Sequence, residues 1–185
     1  TLMAVEHDSA AIVVSDNDRN LWPFYNPQKP VIATDLAGNS ILELIDQSDN
    51  IFWESNLPKI SVLSDYLDEI EVSFDRPQAV SEGSLIIRAI NTQFGNYVFD
   101  NLFKFLGDQS LDFMQSIEND ENFIQLCEQW TREGALKVSL WDGSSWQPCD
   151  SLDIDANAIP FSRLIKVNLP PNSGDRLKFR LTTLA

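Results

Sequence analysis

Near the end of the chain, Arg176, Lys178 and Arg180 alternate with Leu177, Phe179 and Leu181. Successive side chains of a strand point to opposite faces, so this stretch predicts a half-buried β-strand with an apolar face inward and a basic face outward. Ile70, Val72 and Phe74 alternate in the same way with Glu69, Glu71, Ser73 and Asp75, which predicts a second such strand, acidic outside. If the two strands are neighbours, their outer faces form cross-strand ion pairs worth about 0.2–1 kcal/mol each, and these settle strand order. If they lie apart, the basic strip is free to meet an acidic partner.

Other segments point the same way. Ala10 to Val14 is a short apolar run that ends in Ser15-Asp16-Asn17-Asp18. A loop rich in proline and aromatics is expected next, with Trp22, Pro23, Phe24, Tyr25, Pro27 and Pro30. Val31–Leu36 and Ser40–Ile45 flank Ala37-Gly38-Asn39 and predict a hairpin. Ser84–Ile90 reads as a central strand. Leu136, Val138 and Leu140 alternate up to the tight-turn pair Asp142-Gly143, and Trp146 begins the return strand. Leu164–Leu169 and Arg176–Leu184 are two more strands, joined by Pro170-Pro171-Asn172-Ser173-Gly174.

The middle of the chain changes period. Asn96 can cap a helix in which Val98, Leu102, Phe105 and Leu106 share a face, and Gly107 sits where a helix-terminating glycine belongs. Residues 97–106 also fit a strand through Tyr97, Phe99, Asn101, Phe103 and Phe105. Leu111, Met114 and Ile117 repeat at three. Asn119-Asp120-Glu121 is a second helix start, suited to the positive end of the dipole. Phe123, Cys127 and Trp130 follow at helical spacing, and Gly134 closes the segment. The expected fold is therefore mainly β (α+β), an antiparallel β-sandwich or jelly-roll-like body with a helical insert around residues 96–134. At 185 residues a single domain over 1–185 is expected, with β structure over 10–93 and 135–184.

Charge narrows the partners. Residues 1–134 hold 7 basic and 23 acidic side chains, whereas residues 135–185 hold 6 and 5, for a total of −15. Such a balance disfavours nucleic acid and anionic membrane, whose phosphates would be repelled. A basic protein partner is compatible with it, and so is a purely solubilising role. There is no apolar run of the roughly 18 residues that a membrane-crossing helix needs. The N-terminus lacks the basic and apolar regions of a signal peptide. A chain that begins at Thr1 leaves room for processing, so the cytoplasm is a default expectation and secretion stays open. Cys127 and Cys149 show no C-x-x-C spacing, and Cys127 reads as a small buried apolar residue. A disulfide between the two is open.

Catalytic signatures are missing from the sequence. His7 is the only histidine and lies near an end. Neither G-x-S-x-G nor H-E-x-x-H occurs, and there is no P-loop or G-x-G-x-x-G. A pair of carboxylates for glycoside hydrolysis needs two groups about 5–10 Å apart across a cleft. With 28 acids, the sequence does not single out such a pair. Asp150, Asp153 and Asp155, with Asn157, form the densest acidic loop and are candidate oxygen ligands for Ca²⁺. The EF-hand pattern fails there, and a solvated turn accounts for the same residues. Asp16-Asn17-Asp18 is a weaker candidate of the same kind. No other cofactor is expected.

The binding candidates are aromatic. Trp22, Trp53, Trp141 and Trp146 lie in or beside expected loops, and Tyr25 sits close to the first. Rings on a β scaffold stack against sugars or anchor protein interfaces, and they also close the ends of a core. The run Val138-Ser139-Leu140-Trp141-Asp142-Gly143-Ser144-Ser145-Trp146, followed by Arg163-Leu164-Ile165-Lys166-Val167, loosely resembles the end of discoidin-like jelly-roll modules. The helical middle and the acidic first half depart from that pattern. Three readings follow: a non-catalytic protein-binding module (accessory, inhibitor or assembly subunit), a carbohydrate-binding module that uses the loop tryptophans, and, third, a hydrolase with paired carboxylates.

Overall fold

The computed structural model describes residues 10–16, 18, 20–47, 49–54, 67–78, 80–90, 93–152, 161–170 and 174–184, with the backbone alone at 93–99, 127, 130, 131, 161 and 184. In chain order the elements are β1 (Ala11–Asp16), β2 (Leu21–Tyr25), β3 (Ile32–Asp35), α1 (Leu42–Ile45), β4 (Leu67–Asp75), β5 (Glu82–Ala89), α2 (Gln93–Leu106), α3 (Ser110–Asn119), α4 (Glu121–Gly134), β6 (Leu136–Trp141), β7 (Trp146–Leu152), β8 (Phe161–Asn168) and β9 (Arg176–Leu184). The strands make a four-stranded sheet, β2-β1-β8-β5, and a five-stranded sheet, β3-β4-β9-β6-β7. The molecule is mostly β, with α2, α3 and α4 grouped between β5 and β6 and the short α1 between β3 and β4.

The two alternating strands are neighbours. β4 and β9 pair antiparallel from Leu67↔Leu184 to Asp75↔Arg176. That register places Ile70, Val72 and Phe74 directly opposite Leu181, Phe179 and Leu177 on one face. The rings of Phe74 and Phe179 meet edge to face at 5.9 Å and 82°. On the other face Arg180 reaches both Glu69 and Glu71, and Arg176 lies 4.0 Å from Asp75. The charges thus hold the registry of this pair of strands, and the basic strip is largely engaged within its own sheet.

One core joins the sheets. Val138 and Leu140 of β6, Leu152 of β7 and Leu177 and Phe179 of β9 pack with Leu85 of β5 and Ile165 and Val167 of β8. Ile165 and Val138 are 0% exposed. Burying such a side chain contributes about 1.5–3 kcal/mol, before the entropy of ordering it is subtracted. A second cluster, Ala33, Ile41, Ile70 and Val72, is closed by Leu42, Ile45 and Trp53. Phe74 and Leu181 pack against both clusters, so the core is continuous.

Several expectations need correction. The second arm of the hairpin over Ser40–Ile45 is not a strand. Asp35 accepts hydrogen bonds from the Asn39 backbone N–H and Nδ2 at 2.8 and 2.9 Å, and the chain returns only for a single Thr34↔Ser40 bridge. The short helix α1 then lets Leu42 and Ile45 dock on the second cluster. Within the expected aromatic loop, residues 21–25 form β2 instead. Pro23, opposite Val13, is tolerated there because β2 is an edge strand. β5 is likewise an edge strand and not a central one. β1 runs parallel to β8, so the body is not wholly antiparallel.

The insert is helical throughout, including residues 97–106. α2 begins at Gln93, ahead of the expected cap at Asn96. Gly107 takes φ 52°, a left-handed conformation that favours glycine, and starts a short 3-10 turn into α3. Asp120 caps α4 by accepting the N–H groups of Asn122 and Phe123 at 3.0 and 3.2 Å. Phe103, Phe113 and Phe123 form an edge-to-face chain, with centroids 6.3 and 5.2 Å apart, that ties the three helices together.

Candidate functional site

The β6–β7 hairpin sets one candidate surface. Its turn is built by Asp142, whose carboxylate accepts from the N–H of Ser144 and of Ser145 at 2.8 Å each, and from Gln147 Nε2 at 2.7 Å. These donors, the Ser145 and Ser144 N–H first, hold its pKa far below the usual carboxylate range. Gly143 takes φ 105°, which a side chain would strain. The turn sets Trp141 opposite Trp146, with rings 5.3 Å apart and tilted at 60°.

The cation Arg180 completes this surface. Ser139 of β6 pairs with Arg180 of β9, and the guanidinium lies 4.2 Å over the Trp146 ring. Its Nη2 donates to Glu71 Oε1 at 2.7 Å. Its Nε lies 3.0 Å from Glu69 Oε1, an ion-pair distance at which the N–H is not aligned for a hydrogen bond. Burial pushes the Glu69 pKa up, against the pull of Arg180. The outcome is a preorganised row of carboxylates, guanidinium and indoles on the outer face of the five-stranded sheet.

Trp22 sits elsewhere, on β2 of the other sheet. Its Nε1 donates to Asp16 Oδ2 at 2.9 Å, and Lys166 Nζ lies 4.3 Å over its ring. That indole hydrogen bond, with those from Asn20, lowers the Asp16 pKa. Tyr25 is exposed near the end of the same strand, three residues on, and so on the opposite face. Trp53 is half-buried against the second core cluster and serves the core. The structure therefore brings Trp141 and Trp146 together and leaves Trp22, Tyr25 and Trp53 apart.

The remaining candidates divide by location. Asp150 is exposed on β7, while Asp153 and Asp155 lie outside the described residues, as do Asn157, Asn17 and His7. Among the described residues no group of three or more histidine, cysteine or acidic side chains is placed to hold a metal ion. Asp16 is committed to Asn20 and Trp22. Cys149 is a free, half-buried thiol whose pKa is pushed up by burial, and the side chain of Cys127 lies outside the described residues. A cleft of about 250 Å³ between the hairpin and β8 is lined by Asp142, Gln147, Cys149, Lys166 and Asn168.

The helical insert displays large apolar side chains to solvent. Phe105 is 88% exposed, Leu111 67% and Leu126 60%, and Met114 is exposed as well. From Asp100 to Glu133 no described side chain is buried. The apolar periodicity was a sound sign of helix, but it could not show that only one narrow side of each helix would find packing. On the wheel of α3, Phe113 and Ile117 are half-buried, Leu111 lies on the side away from them, and Met114 lies between, exposed next to Ile117. A shallow, wide-open surface where α3 meets α4 is lined by Asp112, Gln115, Ser116, Asn119, Asp120 and Glu121.

No protein-family model, curated protein or solved structure matches the chain. The likeness of residues 138–167 to discoidin-like modules therefore stays a local pattern and carries no family assignment. No helix among the described residues is long and apolar enough to cross a membrane.

Proposed function

We propose that the chain is a non-catalytic protein-binding module, an accessory, inhibitor or assembly subunit. In this reading the paired sheets act as a β-sandwich-type scaffold and the helical insert makes the contact. The observation that carries it is the outward display of Phe105, Leu111, Met114 and Leu126 on helices with no buried side chain among the described residues of 100–133. Exposed apolar side chains grouped on one substructure mark interaction sites, whereas single ones are ordinary.

The other readings have less support. A flat sugar platform needs coplanar, open rings; Trp141 and Trp146 are tilted at 60°, and Arg180 covers one face of Trp146. Paired-carboxylate hydrolysis needs one acid with a raised pKa beside a second carboxylate. Among the described residues the hairpin cleft offers Asp142 alone, and its pKa is lowered; Glu69, whose pKa is raised, has Glu71 beside it, but Arg180 engages both carboxylates.

The test compares proteins captured from the source extract by the wild-type chain and by a Phe105→Ser/Leu111→Ser/Met114→Ser/Leu126→Ser variant, each checked for native circular dichroism. The proposal expects a partner held by the wild type and lost by the variant. Equal capture by both would remove the insert as the contact.

A further inference from the structure

The insert is as charged as it is exposed. Residues 93–134 carry eight acidic and two basic side chains. One of the two bases, Lys104, is paired with Asp100 on its own helix. On the wheel of α3, Leu111, Met114 and Glu118 form one exposed stripe, and Asp112, Gln115 and Asn119 form the stripe beside it. The second stripe belongs to the shallow surface where α3 meets α4, which also carries Asp120 and Glu121. Apolar contact area and a shallow carboxylate-bearing surface therefore lie side by side along α3.

We infer that this face of α3 seats a basic amphipathic segment of a partner protein; the inference rests on the protein-binding reading and names the partner's chemistry. A helical segment with apolar anchors at i, i+3 and i+4 would lay them on Leu111 and Met114. Methionine suits such a contact because its unbranched thioether adapts to varied partners. Lysine or arginine side chains on the flank of the segment would lie on that surface, where Asp112 and Glu121 meet them; Asp120 also borders it while capping α4. Charge selects among the occupants. A second copy would oppose its own acidic insert to this one, and phosphate-bearing surfaces would be repelled in the same way.

The test measures binding of labelled synthetic peptides to the full chain by fluorescence anisotropy. The probes are a Leu/Lys amphipathic helix, the same sequence with glutamate for lysine, and the same with glutamine. The inference expects the lysine peptide to bind best and to weaken as salt is added. Leu111→Ser/Met114→Ser, a change of exposed residues, should weaken that binding by about thirty-fold or more, as truncation of interface anchors does. Asp112→Asn/Glu121→Gln should flatten the salt dependence. Equal or better binding of the glutamine or glutamate peptide would overturn the partner's charge and leave the protein-binding reading standing. Lysine-peptide binding that ignores both variant pairs would overturn α3 as the seat. If no peptide binds, the inference fails, while the capture experiment decides the broader reading separately.

Discussion

Replacing Arg180 with alanine tests the charged face of the five-stranded sheet. Arg180 is 30% exposed and contacts Glu69 and Glu71, which are 22% and 42% exposed. Each partly screened cross-strand pair contributes about 0.2–1 kcal/mol, and the stack on Trp146 adds about 0.5–1 kcal/mol. The expected loss at neutral pH is therefore about 1–3 kcal/mol. Its pH dependence follows from Glu69. The folded pKa of Glu69 is already above the usual 4.5, because burial outweighs the attraction of Arg180 and the charges of Glu71 and Asp68 push the same way. Between the unfolded and the folded value, the native state binds more protons than the unfolded one, so stability falls as pH rises through that window. Removing Arg180 takes away the one opposing influence, lifts the folded pKa further and widens the window upward. The cost of Arg180→Ala should then be largest at neutral pH and shrink as Glu69 becomes protonated on acidification. Adding Glu69→Gln should recover part of it. Urea unfolding followed by tryptophan fluorescence, at neutral pH and near pH 4.5, reads all three. An equal cost at both pH values, with no recovery from Glu69→Gln, would refute the role given to Glu69.

Other perturbations separate the parts of the molecule. Ile165→Ala removes a fully buried side chain at the centre of the joint core and should cost about 2–5 kcal/mol in urea unfolding. Phe113→Ala breaks both edge-to-face contacts of the insert and should speed hydrogen exchange in α2, α3 and α4 while β4, β8 and β9 keep their protection. Asp142→Ala removes the acceptor for the Ser144 and Ser145 N–H groups; it should lower the melting temperature and weaken the coupled circular dichroism of Trp141 and Trp146. Because the folded pKa of Asp142 lies below its unfolded value, its stabilisation is present at neutral pH and is lost as pH falls. The melting curves of wild type and variant should accordingly converge in acid.

What the sequence revealed depended on whether one short-range rule decided the outcome. Strands β4 and β9 were legible because period-two alternation fixes their faces; their adjacency was one of two open readings, and the structure decides for it. The β6–β7 hairpin was legible because Asp142-Gly143 has few other uses between apolar runs. Ser40–Ile45 was misread because a short apolar run serves a strand or a helical turn equally well, and docking on Ala33 and Ile70 decides between them. β2 was hidden by Pro23, whose meaning changes with position at a sheet edge. The site was less legible than the fold. Arg180 covers Trp146, and Lys166 covers Trp22, only because the sheet order brings distant segments side by side. The outward turn of Phe105 and Leu111 depends on how little the insert packs, a tertiary quantity that helical periodicity does not carry.

The central claim is that contact with a partner is made by the insert and not by the tryptophan faces. Photo-crosslinking tests it most directly, with a photoreactive residue placed singly at Leu111, at Trp22 or at Trp141 and the full chain exposed to source extract. The account predicts a discrete protein adduct from position 111 and none from positions 22 and 141. Adducts from the tryptophan positions with none from position 111 would contradict it.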